Sequence, residues 1–342
     1  MLKNILFKLF TIVICALITF FVLRMNPINP VQQLANSYIT GMGYTPAMAH
    51  ARAVAELNYD PDEPITKQFT RYFGGLITGN MGISQQFKMP VSTIIVNALP
   101  WTLLVMLLSM GLSTSVGISI GMKIAYSKRK WPTTLLNIYT SVFGAIPDYI
   151  VAYLLLGFLA VRFHLFPIIG AYDINVTPGL NFPFIINVLY HACLPVATFF
   201  ITQVAHWTLN MRASAINMIG TDFTSCAQAR GLSARRISSK YVGRNAMIPM
   251  VIQIVISFTA MFTGISLIEI AFAYQGIGYY FGAATGAQDF PLEQGLFLMI
   301  ALSLVFFSFI ADLINMALDP RVKEMMRKKA GTQKPKKAGA SA

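Results

Sequence analysis

The chain is short of charge. Only 11% of its 342 residues are Asp, Glu, Lys or Arg, and 55% are hydrophobic, whereas a soluble domain carries about 25% charged residues. That balance excludes a soluble globular enzyme. Acid is scarcer than base, with 13 Asp and Glu against 26 Lys and Arg, a formal charge of +13. Cysteine is nearly absent. Cys15, Cys193 and Cys226 are far apart with no C-x-x-C pair, so the pattern offers neither a zinc site nor a disulfide framework. No Gly-Lys dipeptide occurs, so the chain has no P-loop with which to hold ATP. There is no H-E-x-x-H, and His50, His164, His191 and His206 form no ligand pair at helical spacing. No catalytic, metal or cofactor-binding residue is expected.

What is present is apolar length. A membrane-spanning helix needs roughly 20 mostly apolar residues, and six stretches qualify: 5–23, 99–125, 135–161, 188–210, 248–271 and 295–316. The expected fold is an all-α membrane protein. The first stretch has a positive start, but Arg24 follows directly and no A-x-A site closes it, so a retained anchor is expected rather than a cleaved signal peptide. The bases cluster at the ends of apolar runs, which points to anionic lipid and not to nucleic acid. Lys and Arg are retained on the cytoplasmic side. Placing both termini there puts 123–130, the six cations of 212–244 and the Lys-rich tail inside, and Glu56, Asp60, Asp62, Glu63, Asp173, Asp289 and Glu293 outside. The expected organisation is a first span 1–24, an outer helical region 25–98, a five-helix core 99–319 with an inner loop 211–247, and a basic tail 320–342. In the outer region, Pro46 and Pro64 each open a helix, and the second carries one apolar stripe from Ile65 to Ile77. The Gly-rich outer segment 272–294 contains GIGYYFG, which neither follows a soluble strand nor lies on the nucleotide side, so it is no dinucleotide fingerprint.

The polar, basic segment Arg212–Pro249 is the feature around which the rest is arranged. Thr221 or Asp222 can cap a short helix, Phe223, Ala227 and Arg230 fall near one face, Gly231 can stop it, and Ser233 can cap a second helix leading into the fifth span. Such a helix is a handle for a soluble partner.

Three acids lie within the spans, Asp148, Glu269 and Asp312, and an ionised group in hydrocarbon is costly enough to mark a functional position. Asp148 follows Pro147 mid-span, at a kink, and is a candidate to line the pathway. Glu269, near the outer end of the fifth span, is a candidate to close an outer gate or to bond the adjacent Gly-rich segment. Asp312 is expected to pair with a basic residue. Ser113, Gly117 and Gly121 recur every four residues and mark a close helix-packing seam.

With those residues in view, DFTSCAQARGLSARRISSKYVGRNAMIP resembles the cytoplasmic signature of binding-protein-dependent ABC importer permeases, and within them the B-type subunit of the dipeptide, oligopeptide and nickel group. Gly231 stands at the signature glycine, Ala227 at its alanine and Pro249 at the closing proline. Ser225 and Cys226 replace the glutamate and first alanine of the general signature. Pro100-x-Thr102, Ile146-Pro147, His191 with Leu194-Pro195, Glu269 with Gly276–Gly278, and Asp319-Pro320-Arg321 resemble family landmarks along nearly the whole chain. Asn26-Pro27-Ile28-Asn29-Pro30, Gln275 and Asp148 depart from the pattern.

The resemblance implies a type I ABC importer permease fold in a prokaryotic cell membrane. It implies a second homologous permease, two cytoplasmic ATPases that use ATP and Mg, and an outer solute-binding protein as partners, with lipid around them. It makes the helix from Asp222 to Arg230, with Gly231, Leu232 and Ser233 behind it, the element that couples to an ATPase. A short peptide is the expected solute, with nickel, a metal chelate or a glutathione-like solute as the alternatives. The rival classes are an ATPase-independent secondary transporter, which should show paired repeats and buried ion ligands, and a membrane scaffold.

Overall fold

The computed structural model describes residues 2–24, 29–57 and 60–318. The basic tail 320–342 and part of the 26–30 departure lie outside the described residues. The elements, all helical, are α1 (Leu2–Arg24), α2 (Pro30–Met42), α3 (Pro46–Leu57), α4 (Ile65–Thr78), α5 (Val91–Ala125), α6 (Trp131–Phe143), α7 (Asp148–Leu155), α8 (Phe182–Met218), α9 (Asp222–Ala229), α10 (Ala234–Arg236), α11 (Arg244–Ala271), α12 (Ile277–Ala287) and α13 (Phe290–Leu318). π-helical turns extend α7 to Arg162 and join α10 to α11.

Four of these are long and apolar enough to cross a membrane among the described residues: α5, α8, the continuous run Ala234–Ala271, and Phe290–Ile314. The bent pair α6 and α7 makes a fifth when counted as one span, and α1 contributes the shorter apolar stretch Leu6–Phe21. At 1.5 Å per residue the 35-residue α5 and 37-residue α8 reach about 50 Å, well beyond a hydrocarbon core of about 30 Å. They therefore protrude or tilt, and α8 carries the chain past the apolar layer before α9 begins.

The third span departs from expectation. A continuous helix with a kink at Pro147 was expected over 135–161; instead α6 and α7 meet at a break bent by 90°. Two residues explain it. The Gly144 N–H closes α6 on the Thr140 carbonyl at 2.8 Å, and Pro147 disfavours the helical conformation at Ile146 while removing an N–H. Tyr139 then donates to the Ile201 carbonyl at 2.6 Å, tying α6 to α8.

The core is built on α5 against α8, with α11 across both. Val105, Met106, Ala152, Leu194, Phe199, Phe262 and Ile265 fill the middle of the bundle. Toward the end carrying α9, the loop end, Trp207, Met211, Ala227, Ile237, Val242 and Met250 form a second cluster. Toward the opposite end, the cap end, Ile94, Ile95, Ile277, Leu292 and Leu296 form a third. There α2 and α3 pack into a small helical pair around Leu34, Tyr38, Ala53 and Leu57.

Two helices at the cap end were not anticipated. Asn29 Oδ1 accepts from the N–H groups of Val31 and Gln32, and Gly43 at φ +67° closes α2; its amide-rich sequence gave no strong apolar period. The Gly-rich segment was expected as a loop, yet it folds as α12, because Gly276 and Gly278 admit close neighbours and Gln288 ends it at φ 56°.

Candidate functional site

At the loop end, α8 stops at Met218 and the chain turns at Gly220, φ +85°. Thr221 is the N-cap of α9, but its hydroxyl makes no cap bond; it reaches back to the Met218 carbonyl at 2.8 Å. The Thr221 carbonyl opens the helix by accepting from the Thr224 and Ser225 amides, and the Thr224 hydroxyl donates to the same carbonyl at 2.8 Å. At the other end Arg230 N–H closes on Cys226, Gly231 on Gln228 and Leu232 on Ala227. Gly231 sits at φ +73°, a conformation that a residue with a Cβ resists. Ser233 caps α10 by its carbonyl alone, accepting from Arg236 and Ile237.

The exposed and buried faces of α9 correct one expectation. Helical spacing places Phe223, Ala227 and Arg230 near one face. Ala227 is 2% exposed and packs with Ile237 and Val242, whereas Phe223 is 40% exposed and Arg230 is also exposed. The inward pair is Thr224 and Ala227, three residues apart, the spacing that stacks side chains on one side of a helix. Thr224 was not singled out in the sequence; a threonine three residues after Thr221 is the signal that could have found it. Asp222, Phe223, Cys226 and Arg230 are left facing outward, Leu232 is half-buried against the core, and Gly231 and Ser233 are exposed.

Mid-bundle, the break in the third span opens a cavity of about 270 Å³. Asp148, the first residue of α7, lies in its wall with Ser109, Ser113, Gln203, His206 and Ser257, and the apolar side is formed by Phe199, Trp207 and Met261. A second cavity of about 240 Å³, on the α6 side, shares Asp148, Gln203 and His206. His206 Nε2 lies 2.9 Å from Asn210 Nδ2 and 3.1 Å from Gln253 Nε2, so one ring nitrogen is shared between two side-chain amides. Nothing in the sequence pairs His206 with Asp148, 58 residues earlier.

Glu269 takes a different position. Its side chain is buried, its Oε2 accepts from the Gly278 N–H at 2.6 Å, and it lines neither of these cavities. A Cβ at Gly276 would collide with its carboxylate, and one at Gly278 would collide with Ser266. The first turn of α12 is thus clasped to the end of α11, with the Thr102 hydroxyl accepting from Ile277 N–H at 2.8 Å. Anions are favoured at helix N-termini, which explains a carboxylate here without a base beside it.

Ser113, Gly117 and Gly121 lie where α5 crosses α8. A Cβ at Gly117 would come within 2.6 Å of Trp207 Cβ, and one at Gly121 within 2.5 Å of the Thr208 carbonyl. Gly117-Ile118-Ser119-Ile120-Gly121 has the spacing of a hydrolase nucleophile motif, but Ser119 lies inside a continuous helix and donates to the Ser115 carbonyl at 2.7 Å. That motif requires a strand-turn-helix elbow.

Residues 113–324, which hold the seam, the broken span, α9 and the Glu269 clasp, match the family described as binding-protein-dependent transport system inner membrane component. The chain belongs to that family. It is accordingly a multi-pass protein of the cell membrane, a permease component of an ABC transport system. The permease is similar over most of its length to curated relatives. A probable peptide ABC transporter permease of Sinorhizobium fredii is 27% identical over 92% of this chain and 96% of its own. A dipeptide transport system permease of Lactococcus lactis is 28% identical over 94% and 98%. An oligopeptide transport system permease of Haemophilus influenzae is 26% identical over 94% and 98%.

Proposed function

We propose that the chain is one of two permease subunits of an ATP-driven importer of short peptides. It supplies half of the membrane pathway and performs no covalent chemistry. Two ATPases, using ATP and Mg, dock at the loop end, which faces the cytoplasm together with both termini. A solute-binding protein delivers the peptide at the cap end. The orientation is supported by the basic residues Arg230, Arg235, Arg236, Lys240 and Arg244, gathered around α9, and by the acids Glu56 and Asp289 at the cap end. The peptide class is supported by what the relatives are named for.

The observation that carries the reading is the mounting of α9. Thr224 and Ala227 anchor it to the bundle, Gly220 and Gly231 turn the chain on both sides, and Phe223 stands out as an exposed aromatic. A rigid, outward-facing knob of this kind suits a cleft in a soluble partner, and aromatic residues dominate such contacts.

The test is disulfide crosslinking between α9 and cysteines scanned over a co-expressed ATPase. The native Cys226 and a Phe223→Cys variant are the reporters, and Ala227→Cys is the buried control. Crosslinks from the exposed pair that change in yield with ATP are the expected result. Absence of crosslinks at every partner position, with the assembly folded, would support a secondary transporter or a scaffold instead.

A further inference from the structure

The three acids within the spans are treated differently by the fold. Asp312 is met by Lys8 at 3.0 Å. Glu269 is met by the amides that open α12. Asp148 is met by no base: among the described residues no Lys, Arg or His stands within ion-pair distance of it. The neutral Thr202 lies beside it in the wall of the second cavity. Asp148 instead faces the cavity at the break of the third span. Two further side chains on that wall are left unsatisfied. Ser109 and Ser113 are each 1% exposed, and neither hydroxyl has a hydrogen-bond partner. A buried polar group without a partner is costly, and the cavity wall holds two of them beside an uncompensated carboxylate.

The geometry points to an ammonium subsite: the cavity between Ser109, Ser113, Asp148, Gln203 and His206 receives a primary ammonium group, that of the amino terminus of a peptide in passage. Asp148 supplies the countercharge. The two serine hydroxyls and the Gln203 amide oxygen can accept the remaining N–H bonds, while Phe199 and Trp207 give the adjoining carbon atoms an apolar wall. The chemistry favours an ammonium over a hard metal cation. Calcium takes six to eight oxygen ligands and magnesium a near-ideal octahedron, whereas this wall offers one carboxylate and is half apolar. A space of about 270 Å³ lies just under the range of about 300–1,000 Å³ that encloses a drug-sized ligand, and it has room for an ammonium group with the residue that bears it. The identification of the ammonium as a peptide terminus rests on the importer reading above; the cation preference of the cavity does not.

The test uses the full assembly with its partner subunits, with Cys15, Cys193 and Cys226 replaced by Ser. Ser109→Cys and Ser113→Cys are made separately, because Ser113 adjoins the packing seam and its variant can fail to fold. Each is reacted with a cationic trimethylammonioethyl and an anionic sulfonatoethyl methanethiosulfonate. The ratio of cationic to anionic rate should fall about tenfold on Asp148→Asn and hold on Asp148→Glu, the scale expected of one nearby charge in a partly desolvated site. Propylammonium chloride should slow the cationic reaction, and sodium chloride at equal ionic strength should not. A ratio indifferent to Asp148→Asn, equal protection by sodium, or no reaction at either cysteine would overturn the assignment. ATP-driven uptake of trialanine by the unsubstituted assembly is measured beside it. Absent uptake with the charge preference intact would remove the importer reading and leave the cation site. Uptake with no charge preference would remove the site alone.

Discussion

The Lys8 ammonium lies 3.0 Å from the Asp312 carboxylate and 2.9 Å from the Ser308 hydroxyl, joining α1 to α13. Lys8 is the more enclosed partner, its side chain 14% exposed against 42% for Asp312. Breaking such a pair is worse than deleting it, because one charge is left uncompensated. Lys8→Met and Asp312→Asn should each destabilise the protein by about 1–3 kcal/mol, the half-exposed aspartate keeping the figure below that of a fully buried pair. The double variant should recover part of the loss. Thermal unfolding of the four proteins in one detergent closes the cycle, and strictly additive losses would show that the pair carries no coupling.

At Gly117 and Gly121 the α5 and α8 seam should tolerate nothing larger than glycine. Gly117→Ala and Gly121→Ala each place a methyl group against backbone or Cβ atoms at 2.5–2.9 Å, which cannot rotate away, and overpacking of this kind costs about 1–3 kcal/mol. Gly111→Ala, in the same helix with open space around it, is the control and should be neutral or slightly stabilising. Expression level and melting temperature distinguish the three.

The Glu269 clasp predicts a dependence on shape as well as charge. Glu269→Gln keeps the size and one acceptor oxygen, and should cost less than Glu269→Ala, which strands the Gly278 amide; the difference should be about 1–3 kcal/mol. Gly276→Ala should be as damaging as Glu269→Ala, since its methyl group occupies the space of the carboxylate. Protease protection of the 272–290 segment reports on the clasp, and a fully protected Gly276→Ala protein would contradict it.

The seating of α9 rests on one hydroxyl more than on any charged residue. Thr224→Val keeps the shape of a buried side chain and removes its bond to the Thr221 carbonyl, a loss of about 1 kcal/mol. ATP hydrolysis by the assembly should then respond less to solute, while Ser225→Ala, on the exposed side, should leave the response unchanged. Equal effects of the two would mean that α9 is not held by its inner face.

Much of the architecture was legible in the sequence because apolar length is a local property. The spans near α5, α8, α11 and α13, the helices opened by Pro46 and Pro64, and the stop at Gly231 all follow from neighbouring residues. What was hidden depends on contacts between distant segments. That Lys8 would be the partner of Asp312, or that His206 and Ser109 would face Asp148, requires knowing how the bundle closes. The severity of the break at Gly144–Pro147 was also hidden, since a proline alone predicts a kink and the right angle needs the glycine three residues earlier. For α9 the helix is legible from its neighbouring residues, but its inner face is not. Ala227 and Phe223 are both apolar, and only the position of Ile237 and Val242 decides which of them turns inward.

The run from Ala234 to Ala271 is helical without interruption. Its first residues follow the turn behind α9, and its last turn holds the clasp on α12. At 1.5 Å per residue those 38 residues make a rod about 57 Å long, nearly twice the thickness of the hydrocarbon it crosses. Its two points of give, the π-helical turn Ile237–Gly243 and Pro249, both lie near the end that carries α9. Beyond Pro249 the helix runs on to the clasp at Glu269, so any displacement that passes those two points would reach the other mouth of the bundle as a tilt or a twist of the shaft.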